Sequence, residues 1–81
     1  MRIVWDEPKR LATLDERGLD FADLTPEFFE GAVIVPAKKG RWMAVGRLNR
    51  LALAVVFAPL GREAVSVISM RPASRKERSL L

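Results

Sequence analysis

From residue 41 onward, apolar and polar positions alternate with the period of a strand; before residue 31 they recur with the spacing of short helices. Arg41, Met43, Val45 and Arg47 fall on one side and Trp42, Ala44, Gly46 and Leu48 on the other, which predicts a strand with two unlike faces. Asn49-Arg50 reads as a two-residue turn. Leu51 to Phe57 is apolar on both faces, as a central strand covered on each side must be. Pro59-Leu60-Gly61-Arg62 marks another turn, and Glu63 to Met70 a further strand. Ahead of these, Ala32 to Pro36 is a β-branched run closed by proline, with Lys38-Lys39-Gly40 as its turn. Strands joined this closely make an antiparallel meander.

The first thirty residues carry different signals. Arg2 to Trp5 predicts a short strand, and Asp6 caps a helix whose first turn holds Glu7 and Pro8. Leu11 and Leu14 are expected to form its inward side, leaving Lys9, Arg10, Asp15, Glu16 and Arg17 outside, with Gly18 as the left-handed stop. Leu19 to Glu30 predicts a second helical stretch, broken at Thr25-Pro26-Glu27. Phe28 and Phe29 are adjacent, so one is expected inward and the other free to anchor a partner. On the last strand Val65, Val67, Ser69 and Arg71 are expected on one face. Pro72 suits a first helical turn and Ser74 with Glu77 has the form of a capping box, so a final helix should start close to Arg71. A short strand and helices, then a meander, then a C-terminal helix, predict one α+β domain over residues 1–81, with helices on one sheet face.

Composition narrows the chemistry. The chain of 81 residues has room for one small core. With no cysteine and no histidine, it lacks disulfides, thiolate metal sites and the imidazole used in Ser-His-Asp and Cys-His catalysis. No metal and no cofactor is expected. Charge is uneven: the chain is acidic up to Glu30 and strongly basic from Lys38, for a net +4. That balance suggests a polyanion or an acidic protein as partner. No stretch has the length of a membrane span and the N-terminus lacks a signal pattern, so a cytoplasmic location is expected.

The candidate site is the corner Ser69 to Arg78, where a strand end meets a helix start. Arg71 and Arg75 offer guanidinium forks that match phosphate oxygens, Arg78 adds charge, and Glu77 is the sole carboxylate of the basic tail. Guanidinium groups from the two elements are expected to close around one phosphodiester, with Arg47, Arg50 and Lys76 along the nucleic-acid track and Trp42 as a stacking surface. Each has a plainer alternative. The charge run could be a solvated helix face, Glu77 only a capping partner, Arg47 and Arg50 edge charges, and Trp42 core. An ordinary glutamate with cationic neighbours is also a poor base at neutral pH, so electrostatic stabilisation is expected to carry more than proton transfer.

Several stretches together resemble the BrnT family of type II toxin–antitoxin toxins. They are Val4-Trp5-Asp6-Glu7 with Lys9, Gly18 with Phe21, Arg41 to Gly46, and above all Ile68 to Arg78. The resemblance spans essentially the whole chain. It implies a RelE-like fold, metal-free cleavage of mRNA that stops translation, and neutralisation by a BrnA-like antitoxin with a ribbon-helix-helix domain, through which the complex binds operator DNA. It carries catalytic roles onto Arg71, Arg75, Glu77 and Arg78, with Arg47 as a further member. The chain departs from the family where Glu16-Arg17-Gly18 replaces Lys-His-Gly, and where Ser79-Leu80-Leu81 follows instead of an aromatic. Those departures remove one acid–base group and one stacking platform. They motivate a second reading, a catalytically weak antitoxin-binding module acting as corepressor.

Overall fold

The computed structural model describes residues 1–81. Strands Arg2–Trp5 (β1), Val33–Pro36 (β2), Trp42–Leu48 (β3), Leu51–Leu60 (β4) and Ala64–Pro72 (β5) form one sheet in the order β1-β5-β4-β3-β2. The expected meander is there, since β2, β3, β4 and β5 pair antiparallel in sequence order. Beside it, β1 pairs parallel to β5, Arg2 against Ala64 through Trp5 against Val67. Between them run the helices Glu7–Arg17 (α1) and Pro26–Gly31 (α2) with a 3₁₀ turn at Phe21–Asp23, and Arg75–Arg78 (α3) follows β5.

Local signals set most helix ends. Asp6 accepts from the Lys9 N–H and Thr25 from the Phe28 N–H, while Gly18 takes the left-handed φ of 69° and closes α1. The break at Thr25-Pro26 is as expected. Pro72 is not a first-turn residue: it ends β5, and α3 begins only after Ser74, whose capping box with Glu77 is complete.

The core lies between one sheet face and the helical layer. Phe21, Leu24, Phe28 and Phe29 pack on Ala44, Leu53, Val55, Phe57, Val65, Val67 and Met70. Both phenylalanines of α2 are buried, against the expectation that one would face outward. The reason is close approach. A Cβ on Gly46 would sit 3.1 Å from both Phe28 Cε1 and Ala32 Cβ, so the bare glycine lets α2 settle onto β3. Phe29 then turns edge-on to Phe28, with ring centroids 5.3 Å apart, and also meets Phe57 at 5.4 Å.

Two further expectations are corrected. Val65, Val67, Ser69 and Arg71 do not share a face. Phe57 pairs with Val67 but Val56 pairs with Ser69, so Ile68 is an extra residue in β5. Such a bulge reverses the alternation. Val65, Val67 and Met70 face the helices, whereas Ser69 and Arg71 pass to the other side.

The second correction concerns α1, which is held to the fold by Arg10 and Arg17 rather than by buried leucines. No residue of α1 is buried, and Leu11 and Leu14 are 52% and 37% exposed. The inward contacts are polar. Arg10 Nη1 donates to Asp20 Oδ1 at 3.1 Å, and Arg17 Nη1 donates to the Met70 carbonyl at 2.8 Å. Because β1 ends opposite Val67, Met70 lies on a stretch of β5 that no strand borders on that side, and Arg17 supplies a donor there. Arginine stems reach far enough to join elements that leucines at the same distance would leave apart. No helix is long and apolar enough to cross a membrane.

Candidate active site

Arg71 stands on the face opposite the helical core because of the bulge at Ile68. It pairs with Ala54 of β4, which in turn pairs with Val45 of β3. Small Ala54 leaves room for the guanidinium to cross toward β3, where Nη2 lies 3.9 Å from Met43 Sδ. Glu77 meets it there from α3, with Nη1 to Oε1 at 2.7 Å and Nη2 to Oε2 at 2.8 Å. This is a bidentate ion pair, the strongest form of carboxylate–guanidinium contact. Glu77 Oε1 also accepts the Ser74 N–H at 2.8 Å, and Ser74 Oγ accepts the Glu77 N–H at 3.1 Å. One carboxylate therefore holds both the strand and the helix cap.

The anion that this corner binds most tightly is its own. Arg71 first and the Ser74 N–H second hold the Glu77 carboxyl down at about 2, and Glu77 raises Arg71 in return. A group so acidic is ionised at neutral pH and unsuited to take a proton from a ribose hydroxyl. Arg71 keeps some capacity. Its end-on fork is filled by Glu77 and Nη1 also donates to the Pro72 carbonyl, but Nε–H has no partner and the side chain is 39% exposed. On the outer edge Nη2 also donates to Met43 Sδ at 3.9 Å, which leaves Nε–H as the donor open to an incoming phosphate.

The ion pair has a signature in acid. Its folded pKa lies below the ordinary value of 4.5, so its stabilisation is complete above that pH and drains away as pH falls toward 2. Arg71 is exposed enough to screen the pair, which keeps its worth at roughly 1 kcal/mol. Glu77→Gln, which preserves a capping-box side chain, is expected to lose that amount in urea melts at pH 7. The gap to the unsubstituted chain should narrow below pH 4.5 and close only as pH reaches about 2, and a pH-independent gap would remove the electrostatic account.

The other candidates are only partly gathered. Arg75 and Lys76 are exposed on α3 with no side-chain partner, and Arg78 Nη1 donates to the Ala73 carbonyl at 3.1 Å. Arg47 shares the Arg71 face, since Arg47 pairs with Ala52 and Arg71 with Ala54. Standard strand spacings put their Cα atoms roughly 12 Å apart. Arg47 opens onto a groove with Val33, Phe28, Leu80 and Leu81. Arg50 lies elsewhere, in a cleft on the helical side with Asp20 and Asp23. Trp42 is 40% exposed at the far end of β3, opposite Phe57, in a shallow apolar patch with Ile34 and Pro59. It does not join the corner.

No cavity is shared by the expected guanidinium groups, because none of the four clefts is lined by Arg71, Arg75 or Arg78. The cations project from an open face instead of closing a pocket. Two contributors escaped the sequence reading. Met43 underlies Arg71 only through strand register, and Arg17, read as an outward charge, fixes the carbonyl just before Arg71. Nowhere do three carboxylates gather as a metal site would need.

Comparison with known proteins identifies the fold that carries this corner. The crystal structure of the Brucella abortus ribonuclease toxin BrnT superposes with a TM-score of 0.85 at 54% identity, covering 93% of this chain and 99% of that one. None of the curated proteins compared matches. The family model described as the ribonuclease toxin BrnT of type II toxin–antitoxin systems matches residues 5–77, a span that takes in Trp5 at one end and the Arg71–Glu77 clamp at the other. The chain therefore belongs to the BrnT ribonuclease toxins of type II toxin–antitoxin systems, and membership implies an antitoxin partner.

Proposed function

We propose that this chain is an endoribonuclease that cuts mRNA without a metal ion, acts in the cytoplasm to inhibit translation, and is held in check by a ribbon-helix-helix antitoxin through which the pair meets operator DNA. Charge distribution is the observation that supports this most directly. Residues 31–81 carry ten Lys or Arg against two acids, whereas residues 1–30 carry four against eight. The acidic part supplies the helical layer on one sheet face, and Arg47, Arg71 and α3 stand on the other. An RNA backbone is attracted to the second face and repelled from the first.

The reaction assigned to this face is attack of a ribose 2′-oxygen on the neighbouring phosphorus. The 2′-O–P bond forms, the P–O5′ bond breaks, the 2′-hydroxyl proton leaves and the 5′-oxygen gains one. The outer edge of Arg71, with Arg75 and Arg78, stabilises charge on the phosphorane. Glu77 keeps Arg71 and α3 in place, and the 2′-proton goes to solvent. Lys76 and Arg47 guide the flanking backbone, and Arg50 and Trp42 stand too far off to touch the scissile phosphate.

A second reading is favoured by one specific fact: the Arg71 fork is already filled and no strong base stands beside it. On that reading the chain binds its antitoxin and serves as a weakly active corepressor. Incubating purified protein with structured and unstructured RNA in excess chelator separates the two. Discrete cleavage products are expected; retention of intact RNA, or none, at saturating protein would move the assignment to the corepressor.

A further inference from the structure

We propose that the exposed Leu11–Leu14 stripe of α1 and the cleft at its end form the docking track for the antitoxin, and that the segment seated there is an amphipathic helix with apolar anchors and cationic flanks. The inference rests on family membership for the existence of an antitoxin, and it is independent of the cleavage chemistry.

Three observations lead to it. α1 leaves Leu11 52% and Leu14 37% exposed, on a stripe at the edge of the side that Arg10 and Arg17 turn to the fold. Leu14 and Gly18 are four residues apart, one above the other on the helix, so the Leu11–Leu14 stripe runs down to the mouth of a cleft that Gly18 and Leu19 rim. That cleft has a volume of about 410 Å³, Leu53 and Met70 line it, and Leu51 on its far side is 46% exposed. Leu11, Leu14 and Leu51 supply the accessible apolar contacts of stripe and cleft, as a helix-in-groove partner uses them.

Charge selects the occupant. Asp15 and Asp23 are exposed along the track and have no side-chain partner, while Asp20 is neutralised by Arg10. Arg50, on the β3–β4 turn, is the one cation of the cleft. An acidic rim around an apolar strip repels RNA and suits a polypeptide with lysines or arginines beside its anchors. The position also matters. Met70 lines the cleft from β5 while Arg71, the next residue, faces the opposite side of the sheet. A segment bound here lies behind the active face and leaves that face uncovered.

The test uses the full chain and its purified cognate antitoxin. Leu11→Asp with Leu14→Asp, and separately Asp23→Lys, alter exposed positions outside the catalytic face, so folding by circular dichroism and RNA cleavage should match the parent. Antitoxin Kd, by calorimetry, should rise at least tenfold for the double variant and severalfold for Asp23→Lys. Co-expression of antitoxin should then no longer rescue growth. Unchanged antitoxin affinity overturns the proposal, as does loss of self-association by light scattering with antitoxin binding intact, which would assign the track to a second copy. Because binding and cleavage are read separately, loss of cleavage chemistry as an explanation of the family role would leave this result standing, and the reverse also holds.

Discussion

Arg71→Ala is expected to lower the rate of RNA cleavage by about 10²- to 10³-fold, the usual cost of removing one preorganised donor from a developing oxyanion. Induction of the variant should no longer arrest growth. The same substitution also leaves Glu77 without its cation, so a loss of activity alone does not say whether Arg71 touches the phosphate or merely holds α3. Glu77→Ala separates these. It takes away the capping carboxylate and the clamp but keeps the guanidinium, now with its fork free. If Arg71 works only by fixing α3, the two variants should lose activity equally. If its outer edge contacts the phosphate, Arg71→Ala falls much further, and Arg71→Lys, which keeps charge but not the planar fork, falls between them. Cleavage by Arg71→Ala within threefold of the parent would remove this residue from the reaction.

The corner was legible in the sequence where its causes are local. Ser74 and Glu77 are three residues apart, and the capping box they predict is complete. Thr25-Pro26 and Gly18 mark helix ends that depend only on nearby backbone geometry. What could not be read is what depends on a distant partner. Ile68 is an ordinary β-branched residue, and only the pairing of β5 against β4 makes it the extra one. That single residue moves Arg71 from the helical face to the open one. The parallel seat of β1 on β5 is likewise a contact between residues about sixty positions apart in sequence. The i, i+3 spacing of Leu11 and Leu14 announces an amphipathic helix, yet it cannot say which side the rest of the fold will accept. Arg10 and Arg17 decided that through Asp20 and the Met70 carbonyl.

Phe21→Ala should be the most damaging single truncation in the chain, and its contrast with Leu11→Ala is the sharpest check on how α1 sits. Phe21 has no solvent exposure and lies at the junction of the 3₁₀ turn with the sheet, so its removal leaves a cavity that the short elements around it can fill only in part. Phenylalanine-to-alanine changes at such sites cost about 3–5 kcal/mol. For a chain of this size that is a large share of a total stability of order 4–12 kcal/mol, and the melting temperature should fall by on the order of 20 °C. Leu11 carries the opposite expectation. Half of it is already in water, and alanine is the better helix former, so Leu11→Ala should change stability by no more than about 0.5 kcal/mol. A comparable loss in both variants would mean that α1 docks through its leucines after all. The proposed docking track would then disappear with it, because the same two side chains cannot anchor α1 to the sheet and greet a partner.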